Sequence, residues 1–344
     1  MVRALTFVRP VADPALVSGG DVYDARVIAG LREDGRAVHD AQVEGTWPRP
    51  GATARRALDD VLPDGDGPVL LDGLVACGVP DVVIPHAARR PLAVLVHLPL
   101  GEESPDLDAG EGDVLRAAGA VVATSPWAAR RLRERHGLAD VAVATPGVDP
   151  APLAPGTDGA HRLLCLGAVT PTKGQDLLVA ALAELRDHPW TCDLVGPVGR
   201  APDFVADLRA TIARHDLGDR LRIPGPRAGV DLDETWRHAD LLVAPSRVET
   251  YGMVVAEARA RGIPVVASAV GGLPETLGAG GTLVPAENVP ALVVTLRRWF
   301  DEPLHRFGQR LSARSTRCTL AAWTQTSRRV QQVLADLHTP PTPG

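Results

Sequence analysis

Short apolar runs alternate along the chain with longer stretches in which apolar residues return every three or four positions. The runs predict strands and the stretches predict amphipathic helices. In the first half, strands are expected at residues 4–8, 69–71, 82–84, 93–96 and 120–123, and helices at 21–36, 52–61, 113–118 and 126–136. Residues 146–161 are rich in Pro, Gly, Ala and Asp and predict a linker. The pattern then restarts. Strands are expected at 162–166, 191–195, 221–223, 241–244 and 265–267, with helices at 175–185, 203–215, 232–238 and 252–261 between them. From 291 onward the chain reads as helical, with a last amphipathic helix over 321–337 and a Pro-rich tail, 339–344, that is expected to fray. Alternating strands and helices imply a parallel sheet covered on both faces. The restart predicts two successive doubly wound α/β domains.

Composition narrows the function more than the fold. The chain has 344 residues, 45% of them hydrophobic, enough for two cores, but only 3% aromatic, so those cores rest on Ala, Val and Leu. A net charge of −6 argues against a nucleic-acid partner, which favours a basic face. Residues 1–150 carry 15 basic against 22 acidic side chains, and residues 151–344 carry 21 against 20, so the second half tolerates an anionic ligand better. Cys77, Cys165, Cys192 and Cys318 are scattered without a CxxC pair and read as small buried hydrophobes of a reducing compartment. With no signal-peptide pattern and no run near the ~18 apolar residues of a membrane span, a cytoplasmic protein without an integral membrane segment is expected. Either a monomer or a homodimer fits.

The strongest chemical signal is PSRVETYGMVVAEARARGIPVVASAVGG, residues 245–272. A buried strand ends at Pro245, a short loop follows, and a helix is expected to begin near Gly252. The amides of Thr250, Tyr251, Gly252, Met253 and Val254 lie in or just before its first turn. Those from Tyr251 to Val254 lack intrahelical partners and make an anion site at the carboxyl edge of the sheet. Glu249 in the loop and Glu257 on the helix flank it. Carboxylates do not bind phosphate, but they accept paired hydrogen bonds from sugar diols. Alternatively, Glu257 and Arg261 are an exposed i, i+4 pair and Glu249 is a helix N-terminal charge.

Three weaker signals accompany it. In LCLGAVTPTKG a strand leads to Lys173 and Gly174; the glycine follows the lysine, so this is not a GxxxxGK[ST] loop. Lys173 is the one lysine among 36 basic residues, as though a compact charge were required there. In VSGGDVY, Gly19 and Gly20 form either a plain turn or a place where backbone can approach a ligand. His97 ends the strand VLVH; it is either a structural residue or one that contacts sugar or handles a proton. No Asp-x-Asp or His/Asp cluster is expected near the anion site, so no metal is expected.

Taken together, SGGDVYDARV, VLVHLPLG, ATSPWAARRL, ATPGVDP, GAVTPTKG and the ETYGMVVAE block with PVVASAVGGLPE resemble bacterial family 4 glycosyltransferases of the GT-B fold. Glu249 and Glu257 match that family's E-x7-E element. The resemblance implies two Rossmann-like domains facing across a cleft: an acceptor domain over 1–157, a nucleotide-sugar domain over 158–318, and a final helix over 319–344 that returns to the first domain. It implies transfer of a hexose-type sugar, with retention and without a metal, from a UDP- or GDP-linked donor to a small molecule or glycan. No cofactor is implied. Lys173 would then meet the diphosphate, Glu257 the ribose, and Glu249 with the amides after it the transferred sugar. Gly19 and Gly20 would approach the diphosphate, His97 would face the reacting sugar, and the segment 224–227 with Gly225 would lie near the base. With no side chain placed as a covalent nucleophile, same-face transfer assisted by the leaving phosphate is expected. The family's usual arginine five residues before the lysine is Ala168 here, and Arg200 is the expected substitute. An epimerase of the same fold and a nucleotide-sugar-binding module without turnover are the alternatives. The Arg-rich stretch WAARRLRER reads as a solvated helix face.

Overall fold

Runs of Leu and Val that are buried along their whole length form the centre of two parallel sheets. The computed structural model describes residues 4–14, 16–62, 67–157 and 160–337. The first sheet contains β1 (Leu5–Pro10), β2 (Val38–Val43), β3 (Val69–Asp72), β4 (Leu92–Val96), β5 (Ala120–Ala123) and β6 (Ala142–Val143), in the order β2-β1-β3-β4-β5-β6. All its pairings are parallel. Every residue of β3 and β4 is buried, as a central strand covered on both faces requires.

This sheet belongs to a unit made of the chain up to Asp13, Gly19–Gly147, and the chain from Ala321 on. The helix Trp323–Ala335 therefore lies in the first unit and buries Val330, Val333 and Leu334. It packs closely on the helix Gly19–Glu33: a Cβ on Gly30 would lie 2.6 Å from the Ser327 side chain. Tyr23 meets Trp323 edge to face at 5.8 Å.

The second unit comprises Pro14–Ser18 and Val148–Leu320. Its strands are β7 (Arg162–Leu166), β8 (Thr191–Val195), β9 (Leu221–Gly225), β10 (Leu241–Ala244), β11 (Val265–Ser268) and β12 (Gly281–Val284), in the order β12-β11-β10-β7-β8-β9. All its pairings are parallel as well. The chain builds outward from β7 to β8 and β9, then crosses back to place β10 on the other side of β7. That reversal is the switch point at which such sheets bind ligands. In the first sheet the equivalent reversal lies between β1 and β3.

The structure corrects several expectations. Residues 82–84 are helical, inside Pro80–Ala87, with Pro80 in the first turn and Val83, His86 and Ala87 buried. A three-residue apolar run does not distinguish a strand from one face of a helix. The strands β2, β6 and β12, absent from the expected set, all lie at sheet edges. The first helix starts at Gly19 rather than 21, and the helix after β10 covers Met253–Ala260. The units divide between Gly147 and Val148 and between Leu320 and Ala321, where the sequence reading places the boundaries after 157 and 318. The reason is local bonding. The buried carboxylate of Asp240 accepts from the Thr157 amide (2.8 Å) and the Arg162 amide (3.1 Å), and the Ala154 amide donates to the Arg261 carbonyl (2.9 Å). The expected linker is thus stitched onto the second unit. Residues 158 and 339–344, which carried a boundary and the tail, lie outside the described residues. Three cysteines are buried, but Cys318 is exposed.

Candidate functional site

In the second unit the loops after β7 and β10 meet at the switch point. The amides of Arg247 and Val248 donate to the Thr172 carbonyl at 2.8 and 3.4 Å. Gly174 has φ +67°, and a Cβ there would lie 2.1 Å from the Pro245 carbonyl oxygen, so glycine is required for the two loops to touch. On the other side the Gly272 amide donates to the Glu249 carbonyl at 3.0 Å. Gly271, at φ +54°, sits so close that a Cβ would fall 1.8 Å from the same oxygen. Glu249 is therefore held between two glycine-containing loops. Its Oε2 accepts from Lys173 Nζ at 2.5 Å, with the two side chains 14% and 32% exposed. The two residues that the sequence singled out 76 positions apart form one ion pair.

Past this pair, Gly252 (φ +85°) turns the chain into the helix Met253–Ala260. The Val255 and Ala256 amides bond back to the Gly252 carbonyl at 2.9 and 3.3 Å, so the amides of Gly252, Met253 and Val254 precede the first intrahelical bond. Thr250, Tyr251, Met253, Val254 and Glu257 are all half-buried around this opening. Burial raises the Tyr251 hydroxyl pKa, and nearby Arg259 offsets part of that rise. Glu257 lies within electrostatic reach of Arg261, as their i, i+4 spacing implies. The Arg261 guanidinium stands over the Trp236 ring at 5.0 Å and donates to the Glu257 backbone carbonyl at 3.1 Å.

Other expected residues are placed differently. Arg200, the expected substitute for the arginine missing at Ala168, donates through one terminal nitrogen to the Leu16 carbonyl. Gly225 ends β9 at φ +86° and accepts from the Gly196 amide at 3.0 Å. Arg227 turns inward to Thr235 Oγ1 at 2.6 Å. Arg247, which the sequence did not flag, clamps Asp176 through two bonds of 2.7 and 2.8 Å and reaches Glu287 at 2.9 Å. These carboxylates raise its pKa further, with Asp176 first. It braces the loops rather than offering a free cation.

In the first unit a second cluster forms at the other switch point. His97, just past β4, directs Nε2 to Asp24 Oδ1 at 2.9 Å and to Asp72 Oδ2 at 3.4 Å. Asp72 ends β3 and caps the next helical turn, accepting from the Leu74 amide at 2.6 Å. Asp24 comes from the helix Gly19–Glu33, whose first residues are Gly19 and Gly20. These glycines are thus helical rather than a turn. A Cβ on Gly20 would lie 3.3 Å from His97 Cδ2, so glycine lets the helix start against the imidazole. The Tyr23 ring meets the same imidazole edge to face at 5.1 Å. Burial pushes the Asp24 carboxyl up and the adjacent His97 cation offsets part of this. Burial alone would lower the His97 pKa, but Asp24 and then Asp72 override it and raise it. Neither aspartate was legible as a site residue: Asp72 reads as the polar end of a strand, and Asp24 as one polar position of an amphipathic helix.

The turn after His97 is anchored from beneath. Fully buried Glu111 accepts from the Leu100 amide at 2.8 Å and meets His136 Nε2 at 3.1 Å. Arg131 and Arg135 hold Glu102 at 2.5 and 3.1 Å, and Arg133 donates to the Val141 carbonyl at 2.7 Å. The expected solvated face of WAARRLRER is in fact a set of braces. Two groups, Asp24–Asp72–His97 and Asp108–Glu111–His136, bring potential metal ligands within 4.8 Å of one another. Both lie in the first unit, where the sequence offered no His/Asp spacing to find them.

Residues 160–302 match the family of glycosyl transferases group 1. The chain is 37% identical over 231 residues to a D-inositol 3-phosphate glycosyltransferase of Kineococcus radiotolerans, an alignment that covers 57% of this chain and 52% of the relative. It is 33% identical over 242 residues to the protein of the same name in Nocardiopsis dassonvillei, covering 63% and 56%. The chain thus spans just over half the length of these relatives. In structure it is similar to Anabaena HepE in complex with UDP and glucose, with a TM-score of 0.79 at 20% identity over 97% of this chain and 100% of that one. Sucrose-phosphate synthase of Thermosynechococcus elongatus matches with a TM-score of 0.79 at 20% identity, over 97% and 98%. The fold is that of GT-B glycosyltransferases. Among the described residues no helix is long and apolar enough to cross a membrane.

Proposed function

We propose that the protein is a retaining glycosyltransferase that takes a hexose-type sugar from a UDP- or GDP-linked donor held by its second unit. The observation that carries this reading is the Lys173 Nζ–Glu249 Oε2 contact of 2.5 Å at the switch point, beside the leading amides of the helix Met253–Ala260. A cation next to a carboxylate suits a ligand that is a phosphate at one end and a polyol at the other. The match of residues 160–302 to glycosyl transferases group 1 covers this site.

The chemistry follows from the charges. Breaking the anomeric C–O bond leaves negative charge on the diphosphate and cation character on the sugar. Lys173 and the amides at Gly252–Val254 stabilise the first, and Glu249 lies where it can stabilise the second. Glu257 holds the ribose, which does not change during reaction. With no residue assigned as a covalent nucleophile, the acceptor hydroxyl attacks from the face the diphosphate leaves, its proton passes to a departing phosphate oxygen, and the configuration is retained. A metal is not required, because Lys173 and the amides carry the charge on the diphosphate. The first unit takes the acceptor, a small molecule or glycan. Inositol 3-phosphate, in the names of the relatives, is the first acceptor to try.

The test is a thermal-shift panel of nucleoside diphosphates and nucleotide sugars. A ligand present at a hundred times its dissociation constant adds ~2.7 kcal/mol of stability. UDP or GDP and their sugars are expected to raise the melting temperature of the wild type but not of Lys173→Ala. No shift with any nucleoside diphosphate overturns the proposal.

A further inference from the structure

The helix Pro303–Ser315 is amphipathic in the reverse of the usual sense. Its polar side chains turn into the second unit. Arg306 donates to the Trp299 and Phe300 carbonyls, both at 2.7 Å, Arg310 to the Asp240 carboxylate at 2.8 Å, and Ser312 to the Ala279 carbonyl. Its large apolar side chains turn outward: Leu304, Phe307 and Leu311 are 87%, 68% and 59% exposed. Their i, i+3, i+7 spacing sets them in one stripe. The helix cannot roll to bury this stripe, because rolling would strip Arg310 from Asp240, whose side chain is fully buried. A single exposed leucine is ordinary, whereas a stripe of large apolar residues marks an interaction surface. Gly308 lies within the stripe. Glycine is disfavoured in a helix interior, and the chain's own packing does not call for it, since a Cβ there would meet no atom within 4 Å.

The charges at the two ends of the stripe select what covers it. Asp301 and Glu302 stand at its start and Arg314 at its end, all exposed. Asp301 turns one oxygen to His188 at 3.0 Å, Glu302 pairs with Arg298 at 2.9 Å, and Arg314 makes no ion pair among the described residues. An anionic lipid surface favours a basic rim around the apolar face. Here the two ends carry opposite signs, and Arg306 and Arg310 face inward. A stripe with opposite ends is complementary to itself. We propose that this face pairs with the same face of a second copy of the chain, the two helices antiparallel about a twofold axis between Phe307 and Gly308. In that register each Phe307 seats over the other copy's Gly308, each Leu304 meets the other's Leu311, and each Arg314 meets the other's Asp301. Gly308 then serves as the seat for an aromatic ring. A single helix pair covers less than the ~1,200 Å² from which stable interfaces start, so the dimer is weak and forms at high protein concentration. The pairing does not depend on the function proposed above, since none of its residues belongs to the donor site.

The experiment is sedimentation equilibrium of the full chain, from low-micromolar to several hundred micromolar protein. The weight-average mass is expected to rise from one chain toward two. A mass that stays at one chain over that range overturns the proposal. Phe307→Gln, a change at an exposed position, is expected to keep the wild-type melting temperature and to remain a single chain throughout. If it dimerises as the wild type does, the contact lies elsewhere and the proposal fails. Charge reversal tests the register. Asp301→Arg alone and Arg314→Asp alone each set like charges together twice in a homodimer, so each is expected to dimerise roughly 5- to 30-fold more weakly than the wild type. Mixed in equal amounts, the two are expected to recover wild-type association, because each contact then joins opposite charges. A mixture that associates no better than either variant alone contradicts the antiparallel pairing. Wild-type binding to vesicles of anionic phospholipid that is lost in Phe307→Gln, with the mass in solution still that of one chain, would assign the face to a membrane and overturn the pairing. If a charge-reversed variant does not fold, the wild type and Phe307→Gln still decide whether this face dimerises.

Discussion

The two switch-point clusters are built from the same parts but handled oppositely. Each sets a cation against a carboxylate beside glycine at the carboxyl edge of a parallel sheet. In the first unit the carboxylates are Asp24 and Asp72, both buried, and the cation His97 is boxed by Gly20 and Tyr23. In the second unit the pair is Lys173 with Glu249 alone, 32% and 14% exposed, on loops shaped by Gly174, Gly252, Gly271 and Gly272. Burial shields the first pairing from solvent. Exposure and a flexible lysine stem make the second exchangeable, so a ligand phosphate can take Lys173 and a ligand hydroxyl can take Glu249.

That contrast predicts a graded series. The largest effect belongs to Lys173. Removing a charge stabiliser from a leaving group costs roughly 10²–10³-fold in kcat, so Lys173→Ala is expected to fall in that range. Lys173→Arg should fall nearly as far, since a planar guanidinium does not reproduce the compact ammonium that contacts Glu249. A wild-type rate in the arginine variant would show that charge alone suffices. Next is Glu257→Gln. A charged hydrogen bond of about 1.5–3 kcal/mol, made equally in ground and transition states, raises donor KM by roughly 10- to 150-fold and leaves kcat alone. Glu249→Gln should do the reverse, lowering kcat with little change in KM, and steady-state kinetics on donor separates the two.

Smaller effects test the scaffold. Gly271→Ala places a Cβ against the Glu249 carbonyl at positive φ and is expected to cost ~1–3 kcal/mol in urea unfolding. A neutral result would mean that the loop yields and Glu249 is not held. The first unit should show its own signature in pH. His97 has a pKa raised by folding, so its contribution to stability is full below pH ~6.5 and is lost as pH rises through the raised value. Wild type should therefore lose more stability than His97→Gln between neutral and alkaline pH, read by thermal melts. The smallest effect expected is none: turnover should persist in EDTA. Loss of turnover in chelator, restored by Mn2+ or Mg2+, would move the diphosphate's charge partner from Lys173 to a metal.

How much of this was legible depends on where each signal lay. The buried strands β3, β4, β7 and β10 announced themselves as unbroken apolar runs, because both faces are covered. The edge strands β2, β6 and β12 did not, whereas the fourth edge strand, β9, was expected at 221–223. Val38–Val43 places buried Ala41 and Val43 between polar residues, a weak alternation in a run of six. Glu249 and Lys173 were visible because a loop between strand and helix leaves few structural reasons for a charge. Asp24 and Asp72 were not, since each also fits an ordinary role, a helix position and a cap. Only tertiary packing against His97 turns them into a site. The same holds for Glu111, whose value lies in two amides ten and eleven residues away.

The central claim, transfer with retention from a nucleotide-diphosphate sugar bound in the second unit, is tested most directly by the configuration of the released sugar. The protein is incubated with UDP-glucose, and in parallel with GDP-mannose, and the anomeric proton of the first-formed product is followed by NMR before mutarotation. Slow hydrolysis of one α-linked donor to the α-anomer, abolished in Lys173→Ala, is the predicted result. A β-anomer formed first, or hydrolysis that persists at the wild-type rate in Lys173→Ala, would contradict the account.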